Sequence, residues 1–407
     1  MIASKCIGTY KVFEKKSHKK QIIFVVLILV LIALLLSQKT IFADSNTGEK
    51  ELLSSIKDQM ANLDFSNIED SIASLDTDMN LFEGSFKDKV SAILSGEYFN
   101  NYSSVFSAVI GILFDNLKSL LPLFMTIMAV AILFNILSNI RHEKMASIDN
   151  IVYFASYAII MLLMAGVITK VSTMTLSTIS TMKNQMDAIF PILLTLLTAV
   201  GGIASVGVYK PVVAILSSGV VGIVKGVLFP IFVLSFVFLI IGNLSPNAKL
   251  NKFSSFLSSC FKWIVGFVFT LFGAFLAIQG ISAGKYDGVS IKATKFAVKS
   301  YVPILGGYLS DGMDFIVLSS ILIKNAVGVA GLLLIFITII SPIIKIVVLK
   351  LGLQLTSAII EPVGDNRISN LLNDCAKLMV YPIVIILATS FMYLLSVGLI
   401  MCTANVL

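Results

Sequence analysis

The chain contains seven apolar runs, each close to the length that an α-helix needs to cross the hydrocarbon core of a membrane, about 20 residues. They cover residues 119–140, 151–169, 189–209, 226–244, 262–281, 325–344 and 379–401. Only 13% of the 407 residues are charged, which is too few to keep so apolar a protein dispersed in water. The sequence therefore predicts an all-α, polytopic helical membrane protein with a multi-span domain over residues 119–407.

Three further stretches leave the number of spans open. Residues 211–224 and 303–322 are apolar but short or broken, and residues 346–362 are amphipathic. Each is compatible with a half-span, a re-entrant hairpin or an interfacial helix. The fold prediction therefore includes broken or re-entrant helices, and the side of the membrane on which the chain ends stays open.

The first 43 residues have the pattern of a signal peptide or an uncleaved signal anchor. Six lysines precede the apolar run at residues 22–36, and Ala43 is placed as the last residue before a cleavage site. A basic flank of this kind is retained in the cytoplasm. In both interpretations the chain from residue 44 onward lies outside the cell membrane.

Residues 44–118 are predicted to form an acidic, amphipathic, extracytoplasmic helical segment. Residues 44–100 hold twelve acidic residues against four lysines, a net charge of −8. Their apolar residues recur at helical spacing: Leu52, Ile56, Met60 and Leu63, then Ile68, Ile72 and Leu75, then Phe86, Val90, Ile93 and Leu94. Two or three helices are expected, serving either as a solvated cap or as a docking surface for other envelope proteins.

The segment around Pro303 is predicted to interrupt a membrane helix. Proline removes a backbone donor, and the pair Gly306 and Gly307 tolerates unusual backbone angles. Unpaired backbone groups persist in hydrocarbon only where protein or a wet cavity shelters them. Asp311 and Asp314, three residues apart on one helix face, would point into such a cavity or lie in a solvated interfacial loop.

Charged residues beside apolar runs extend the list of candidates, because a bare ammonium at mid-membrane costs at least ~2.5 kcal/mol. Lys324 marks the end of a helix at the interface or faces a polar path. Lys345 pairs with Glu361 if residues 346–362 fold back, which suits either a polar pathway or a structural tether. The candidate pore or broken-helix residues are Pro303, Gly306, Gly307, Asp311, Asp314, Lys324, Lys345 and Glu361.

No catalytic or cofactor chemistry is indicated. The four cysteines are far apart, and neither His18 nor His142 lies near a cysteine or carboxylate at ligand spacing. Walker, nucleophile-elbow and zinc-protease motifs are absent from the sequence. The net charge of +7 is scattered between apolar segments, as in loops at a lipid surface, so no nucleic-acid partner is expected.

Two sequence runs resemble the stage III sporulation protein AE family of endospore-forming bacteria. They are YVPILGGYLSDGMDFIVLSSILIKNAVGVAGLL and ISPIIKIVVLKLGLQLTSAIIEPVGDNRI, within about residues 300–370. The rest of the chain is similar in layout only. The residues that match the family pattern are Pro303, Gly306, Gly307, Asp311, Lys324, Asn325, Gly328, Gly331, Pro342, Lys345, Glu361, Pro362 and Asp365.

The resemblance implies a multi-pass protein of the mother-cell membrane that surrounds the forespore. There it would be a non-enzymatic component of the channel, or feeding-tube, complex that supports late forespore gene expression. The implied partners are the other stage III sporulation A-operon membrane proteins with their secretion-type ATPase, the forespore protein Q, and a YidC-type insertase. A homo-oligomer is also compatible with the pattern, and no cofactor is implied.

Two other function classes fit the residues. A self-sufficient secondary transporter would bind a small substrate at a broken helix near the midplane. A structural membrane scaffold would recruit the complex without conducting anything.

Overall fold

A computed structural model describes residues 48–73, 84–95, 102–139, 146–244, 251–301, 306–362 and 366–403. Every regular element in these ranges is helical. The helices are α1 Gly48–Ala61, α2 Ser66–Ala73, α3 Phe86–Leu94, α4 Tyr102–Asn139, α5 Ala146–Ala199, α6 Ile203–Ala214, α7 Phe229–Leu244, α8 Asn251–Tyr301, α9 Gly306–Ile360, α10 Asn366–Leu378 and α11 Val380–Cys402. The predicted signal segment, residues 1–43, lies outside the described residues.

The three short helices α1 to α3 confirm the helical periodicity predicted for the acidic segment. Asp64 lies in the break between α1 and α2 and accepts two hydrogen bonds from Ser66, the first residue of α2. The Ser66 backbone N–H and hydroxyl donate to Asp64 Oδ1 at 3.0 and 2.6 Å. These hydrogen bonds hold the pKa of the Asp64 carboxyl below its usual value, and the bond from the Ser66 hydroxyl has the larger effect. Ser85 begins α3 with a capping box, and the rings of Phe65 and Phe86 pack 5.7 Å apart.

Helix α5 replaces two predicted spans with one helix. Residues 151–169 and 189–209 were expected to cross separately, but α5 runs unbroken for 54 residues and ends at Ala199. The polar stretch between the two runs is rich in serine and threonine and contains no glycine or proline, so nothing in it ends a helix. The break lies instead at Gly201, whose φ of 87° is the left-handed conformation that glycine adopts most readily.

Two of the short stretches left open by the sequence are also parts of longer helices. Helix α9 runs 55 residues through Pro342, so residues 306–322 and 346–360 continue it at either end. Residues 211–224 lie in a continuous helical run from Ile203 to Leu244 that contains two π-helical segments, Ile215–Val220 and Val224–Leu228. The predicted boundary between residues 118 and 119 falls inside α4.

Six helical stretches of the described chain, rather than the seven predicted, are long and apolar enough to cross a membrane. They are Val109–Leu133, Phe154–Ala199, Ser218–Asn243, Lys252–Ala277, Gly312–Ile360 and Asn366–Cys402. The structure has one span fewer because residues 151–169 and residues 189–199 of the second run belong to a single helix, α5. The chain is thus an all-α polytopic membrane protein, as predicted.

Side-chain contacts fix the relative directions of the long helices. Val200, after the end of α5, clusters with Val317 and Ile321 near the start of α9. Farther along, Gln185 donates to Thr338 Oγ1 at 2.8 Å. Helices α5 and α9 are therefore antiparallel, because residues later in one contact residues earlier in the other.

We call the end of the bundle near Val200 and Val317 the cap end, because Gln59 of α1 bonds there to Ser319 and Ser320 of α9. The opposite end, called the far end, holds the turn between α9 and α10. Two serines bridge that turn: Ser357 Oγ donates to the Ser369 carbonyl at 2.8 Å, and Ser369 Oγ donates to the Ser357 carbonyl at 3.0 Å.

Candidate functional site

A cleft of about 1200 Å³ lies between α4, α5 and α9. Its polar lining comes from all three helices: Asp115, Asn116 and Ser119 from α4, Lys170, Thr173 and Ser177 from α5, and Lys345 from α9. Its apolar lining includes Leu120, Leu123, Leu163, Val167 and Leu349. The cleft therefore has a mixed lining, with charged and polar groups among apolar ones, and lies between three of the helices that qualify as membrane spans.

Helical spacing explains why these side chains meet. Lys170, Thr173 and Ser177 are separated by three and four residues, which places them on one face of α5. The Thr173 hydroxyl donates to the Lys170 carbonyl at 3.0 Å, and the Ser119 hydroxyl donates to the Asn116 carbonyl at 3.0 Å. Hydroxyls bonded in this way keep their oxygen lone pairs for the cleft.

On the far-end side of the cleft, α4 and α9 come into direct contact. The Phe124 ring lies so close to Gly352 that a Cβ at this glycine would overlap it. A larger residue at position 352 would require either the Phe124 ring to move or the two helices to separate. The contact lies between two of the three cleft walls.

The charges of the cleft suit water and polar solutes. Two lysines, Lys170 and Lys345, line it together with one carboxylate, Asp115. A bare ammonium or carboxylate is costly in hydrocarbon, so these charged groups need a protein partner, water or a polar ligand. Within the described residues no group of three metal-ligating side chains occurs.

A second polar contact joins the N-terminal helices to α9 at the cap end. The Gln59 amide nitrogen donates to Ser319 Oγ at 2.6 Å, and Ser320 Oγ donates to Gln59 Oε1 at 2.8 Å. The hydroxyls of Ser55 and Ser319 are 3.0 Å apart. A single glutamine side chain thus holds α1 against two consecutive serines of α9.

Lys324 is fully buried, so it does not mark a helix end at an interface. Its ammonium donates to the backbone carbonyl of Thr403, the C-cap residue of α11. A cation at a helix C-terminus is favourable because the unpaired carbonyls there are the negative end of the helix dipole. Tyr209 Oη lies 2.8 Å from Thr403 Oγ1, so α6 joins the same contact. Lys324 is a structural tether between α9 and α11.

The other residues predicted around the helix break lie at the start of α9. Gly306 and Gly307 are its first two residues, and Asp311 and Asp314 follow within three turns. The carboxyl oxygen Oδ1 of Asp314 is buried. Pro303 lies outside the described residues, so the break predicted there stays a prediction.

Lys345 and Glu361 are not brought together. The expected pairing required residues 346–362 to fold back, but residues 346–360 continue α9. Glu361 follows the last turn of α9 and is exposed, at roughly 24 Å along the helix from Lys345. Of the predicted site residues that the structure describes, only Lys345 lines the cleft.

Sequence reasoning missed the contributions of α4 and α5 to the cleft. Asp115 and Asn116 were assigned to the acidic segment, Ser119 was the first residue of a predicted span, and Thr173 and Ser177 were assigned to a connection between two spans. The signal that would have found the α5 residues is the spacing of polar residues, mostly at intervals of three and four, from Thr169 to Thr198. Such spacing is typical of a helix face rather than of a loop.

Comparison with known proteins identifies the family of the chain. The family model described as stage III sporulation protein AE matches residues 84–404, which is most of the chain. The chain belongs to the stage III sporulation protein AE family. The match includes α3 to α11, and therefore all three helices of the cleft.

A curated member of the stage III sporulation protein AE family aligns with part of the chain. The stage III sporulation protein AE of Bacillus subtilis (strain 168) is 27% identical over 218 residues. The aligned region covers 54% of this chain and 55% of the relative, so the chain spans about half the length of the relative it matches. No solved structure matches the chain. The family is named for a stage of sporulation rather than for a reaction.

Proposed function

We propose that the protein is a non-enzymatic membrane component of the channel complex between mother cell and forespore, required for late forespore gene expression. The observation that carries this proposal is the polar cleft inside a membrane protein of the stage III sporulation protein AE family. A family member acting in a conduit needs polar surface among its spans, and a pure anchor does not.

The distribution of basic residues supports an orientation with the cap end outside the cell membrane. The connection between α4 and α5 carries Arg141 and Lys144, the connection between α7 and α8 carries Lys249, and α10 begins with Arg367 after Asn366. These connections lie at the far end, and short cytoplasmic loops are enriched in Lys and Arg. The connection between α5 and α6, at the cap end, carries no charged residue.

With six spans and the acidic segment outside, the chain also ends outside. Thr403, beside Lys324, then lies on the same side as α1 to α3. Four lysines at 285, 292, 295 and 299 also lie on that side, and they begin 8 residues beyond the span that ends at Ala277. Their distance from the span reduces their weight in orienting it.

The cap end is the surface that we assign to partners. In this proposal the partners at the cap end are the other stage III sporulation A-operon membrane proteins and the forespore protein Q. The cytoplasmic secretion-type ATPase would act from the opposite side of the membrane, and a YidC-type insertase would assist insertion. The protein would lie in the mother-cell membrane around the forespore, with its spans in contact with lipid and with further copies of itself. The start of α9, from Gly306 to Asp314, is a candidate joint with these partners.

Deletion and complementation test the proposal. A strain lacking this protein is expected to lose expression of a late forespore reporter, and the intact chain is expected to restore it. Lys345→Ala, in the cleft, should restore little expression at normal protein abundance, because the cleft loses one of its two cations. Lys350→Ala, on the same helix and absent from the cleft lining, is the matched control and should restore expression fully. Normal reporter output in the deletion strain would refute the proposed function.

The cleft also favours a second candidate, a secondary transporter that acts alone. Its volume and mixed charges are compatible with a bound small solute. Purified protein in liposomes separates the two functions. A transporter moves solute without partners, whereas a component of an assembly does not.

A further inference from the structure

The exposed side of α5 changes character along the helix. Near its start, α5 exposes Phe154, Ile159 and Leu162, with 67% of Leu162 accessible. Among the described residues from 163 to 202, no large apolar side chain is exposed. The exposed polar residues there are Thr169, Lys170, Thr173, Ser177, Asn184, Asp187, Thr195 and Thr198. We call these eight residues the polar stripe.

The polar stripe is continuous and long enough to cross a membrane. Its members follow one another mostly at intervals of three, four or seven residues, so they share one face of α5. From Thr169 to Thr198 the stripe extends roughly 44 Å, more than the ~30 Å of a hydrocarbon core. Thr169, Thr195 and Thr198 donate their hydroxyls to helix carbonyls at 2.9 Å, as hydroxyls in membrane helices commonly do.

The level of the stripe in the bundle follows from contacts across α9 and α11. Gln185 of α5 bonds to Thr338 of α9. Gly328 of α9 lies against Met401 of α11. The two helices are antiparallel, Thr338 is ten residues after Gly328, and Phe391 is ten residues before Met401. Phe391 therefore lies level with Thr338, and so with Gln185.

Near the level of Gln185, α8 exposes large apolar side chains. Phe391 stacks on Phe269 of α8, with ring centroids 5.5 Å apart. Close to Phe269, α8 exposes 63% of Phe267 and 54% of Leu271. Three further large apolar side chains on α8 are exposed toward the far end: Phe253, Phe256 and Trp263.

From Phe253 to Leu271 these exposed side chains extend roughly 27 Å, close to the thickness of a hydrocarbon core. Lys252 lies at the far-end edge of this interval, where its ammonium can extend toward the membrane surface, and Lys262, near the middle, is the single charged residue between Phe253 and Leu271. Gln185 of α5 lies level with Phe269 of α8, through Thr338 and Phe391. Counted from that level, the residues of α5 that lie beside the interval Phe253–Leu271 are about 169 to 187. One side of the bundle thus suits lipid at the level where the other side is polar.

We propose that the polar stripe of α5 forms the wall of a water-filled pathway through the membrane. The inference rests on the membrane function proposed above and gives it a location. A face with hydroxyls, an amide and charges cannot lie against acyl chains without a large cost, so at this level it must border water or be covered by protein, and the open cleft beside it favours water. The cleft, which shares Lys170, Thr173 and Ser177 with the stripe, is the widening of this pathway.

The lining indicates the class of solute. Lys183 and Asp187 form an ion pair of 2.5 Å beside the stripe, so their charges largely cancel. The remaining groups are mostly neutral hydroxyls and amides, with Lys170 the main uncompensated charge of the stripe. Such a wall admits water and small hydrophilic solutes with little selection by charge.

Cysteine accessibility in the assembled complex tests the proposal. In a chain whose native cysteines are replaced, single cysteines are placed at Thr173, Ser177 and Asn184. Matched controls at the same level are Phe267→Cys and Leu271→Cys on α8, and Ile179→Cys reports a buried position. The probe is a charged, membrane-impermeant maleimide applied to intact membranes, and protein abundance is measured for every variant.

We expect the three stripe positions to react at least roughly tenfold faster than the α8 and buried positions, since reactivity follows exposure to water. Equal, slow labelling at all positions would show that the stripe is dry and would overturn the pathway. Fast labelling on α8 as well would place this level outside the membrane and would also overturn it. The labelling assay does not depend on the late forespore expression reporter. A failure of the proposed function in the reporter assay can therefore be distinguished from a failure of the pathway in the labelling assay.

Discussion

Two apolar stretches of α9 have different surroundings: the cap-side stretch, residues 319–350, and the far-side stretch, residues 351–360. In the cap-side stretch no residue is exposed, and Val327, Leu334 and Ile335 have no accessible surface, because other helices enclose them. In the far-side stretch, Leu351 and Leu355 are exposed by 57% and 63%. Apolar sequence alone therefore does not distinguish a helix packed inside protein from a helix that faces lipid.

The largest effect on this comparison is expected from Lys324→Glu in the cap-side stretch. The substitution would bury a carboxylate against the Thr403 carbonyl, replacing a favourable charge with a repulsive one. We expect a loss of about 3–5 kcal/mol, as when a buried charge loses its compensation. The measurement is the temperature at which detergent-solubilised protein leaves the monodisperse peak in size-exclusion chromatography.

The control for this change is Lys350→Glu, farther along α9 where the lysine is only half-buried. Its effect should be clearly smaller. Equal losses at both positions would contradict the role of Lys324 as a tether.

A smaller difference is expected between two apolar truncations. Ile335→Ala removes side-chain atoms from a fully enclosed position and should cost about 2–5 kcal/mol, because a cavity remains in the protein. Leu355→Ala should change stability much less, since lipid or detergent can fill the space. Thermal melting of both variants in one detergent would measure the difference. Similar losses of stability would contradict the inference that protein surrounds Ile335 whereas lipid surrounds Leu355.

The smallest effect is expected at the polar contact that joins α1 to α9. Gln59→Ala leaves Ser319 and Ser320 without their amide partner and should cost about 1–3 kcal/mol. We expect faster proteolysis within residues 48–95 while the spans stay intact. Asp58→Ala, an exposed neighbour on α1, is the control and should be cleaved at the wild-type rate.

The helical class, the membrane spans and the amphipathic N-terminal helices could be predicted because each depends on local spacing. The apolar period of α3 and the capping residues near Asp64 are readable from a few neighbouring residues. The number of spans was overestimated because a polar stretch was taken as a connection. In α5 the residues from 170 to 188 are polar but helix-compatible, and hydropathy does not report whether the backbone bends.

The candidate site was harder to predict because it is built from three distant parts of the sequence. Lys345 was identified from its charge next to an apolar run, whereas its neighbours Asn116 and Thr173 are ordinary polar residues whose role depends on packing. Lys324 had the same signal as Lys345, and yet it is a tether. A charge in an apolar run indicates that a partner is needed, but it does not identify the partner.

The contact between Phe124 and Gly352 limits how the polar space can change its width. The aromatic ring occupies the notch left by the missing side chain, so α4 and α9 can slide along each other only if the Phe124 ring moves out of that notch. The spacing of these two cleft walls is therefore linked to the position of one side chain.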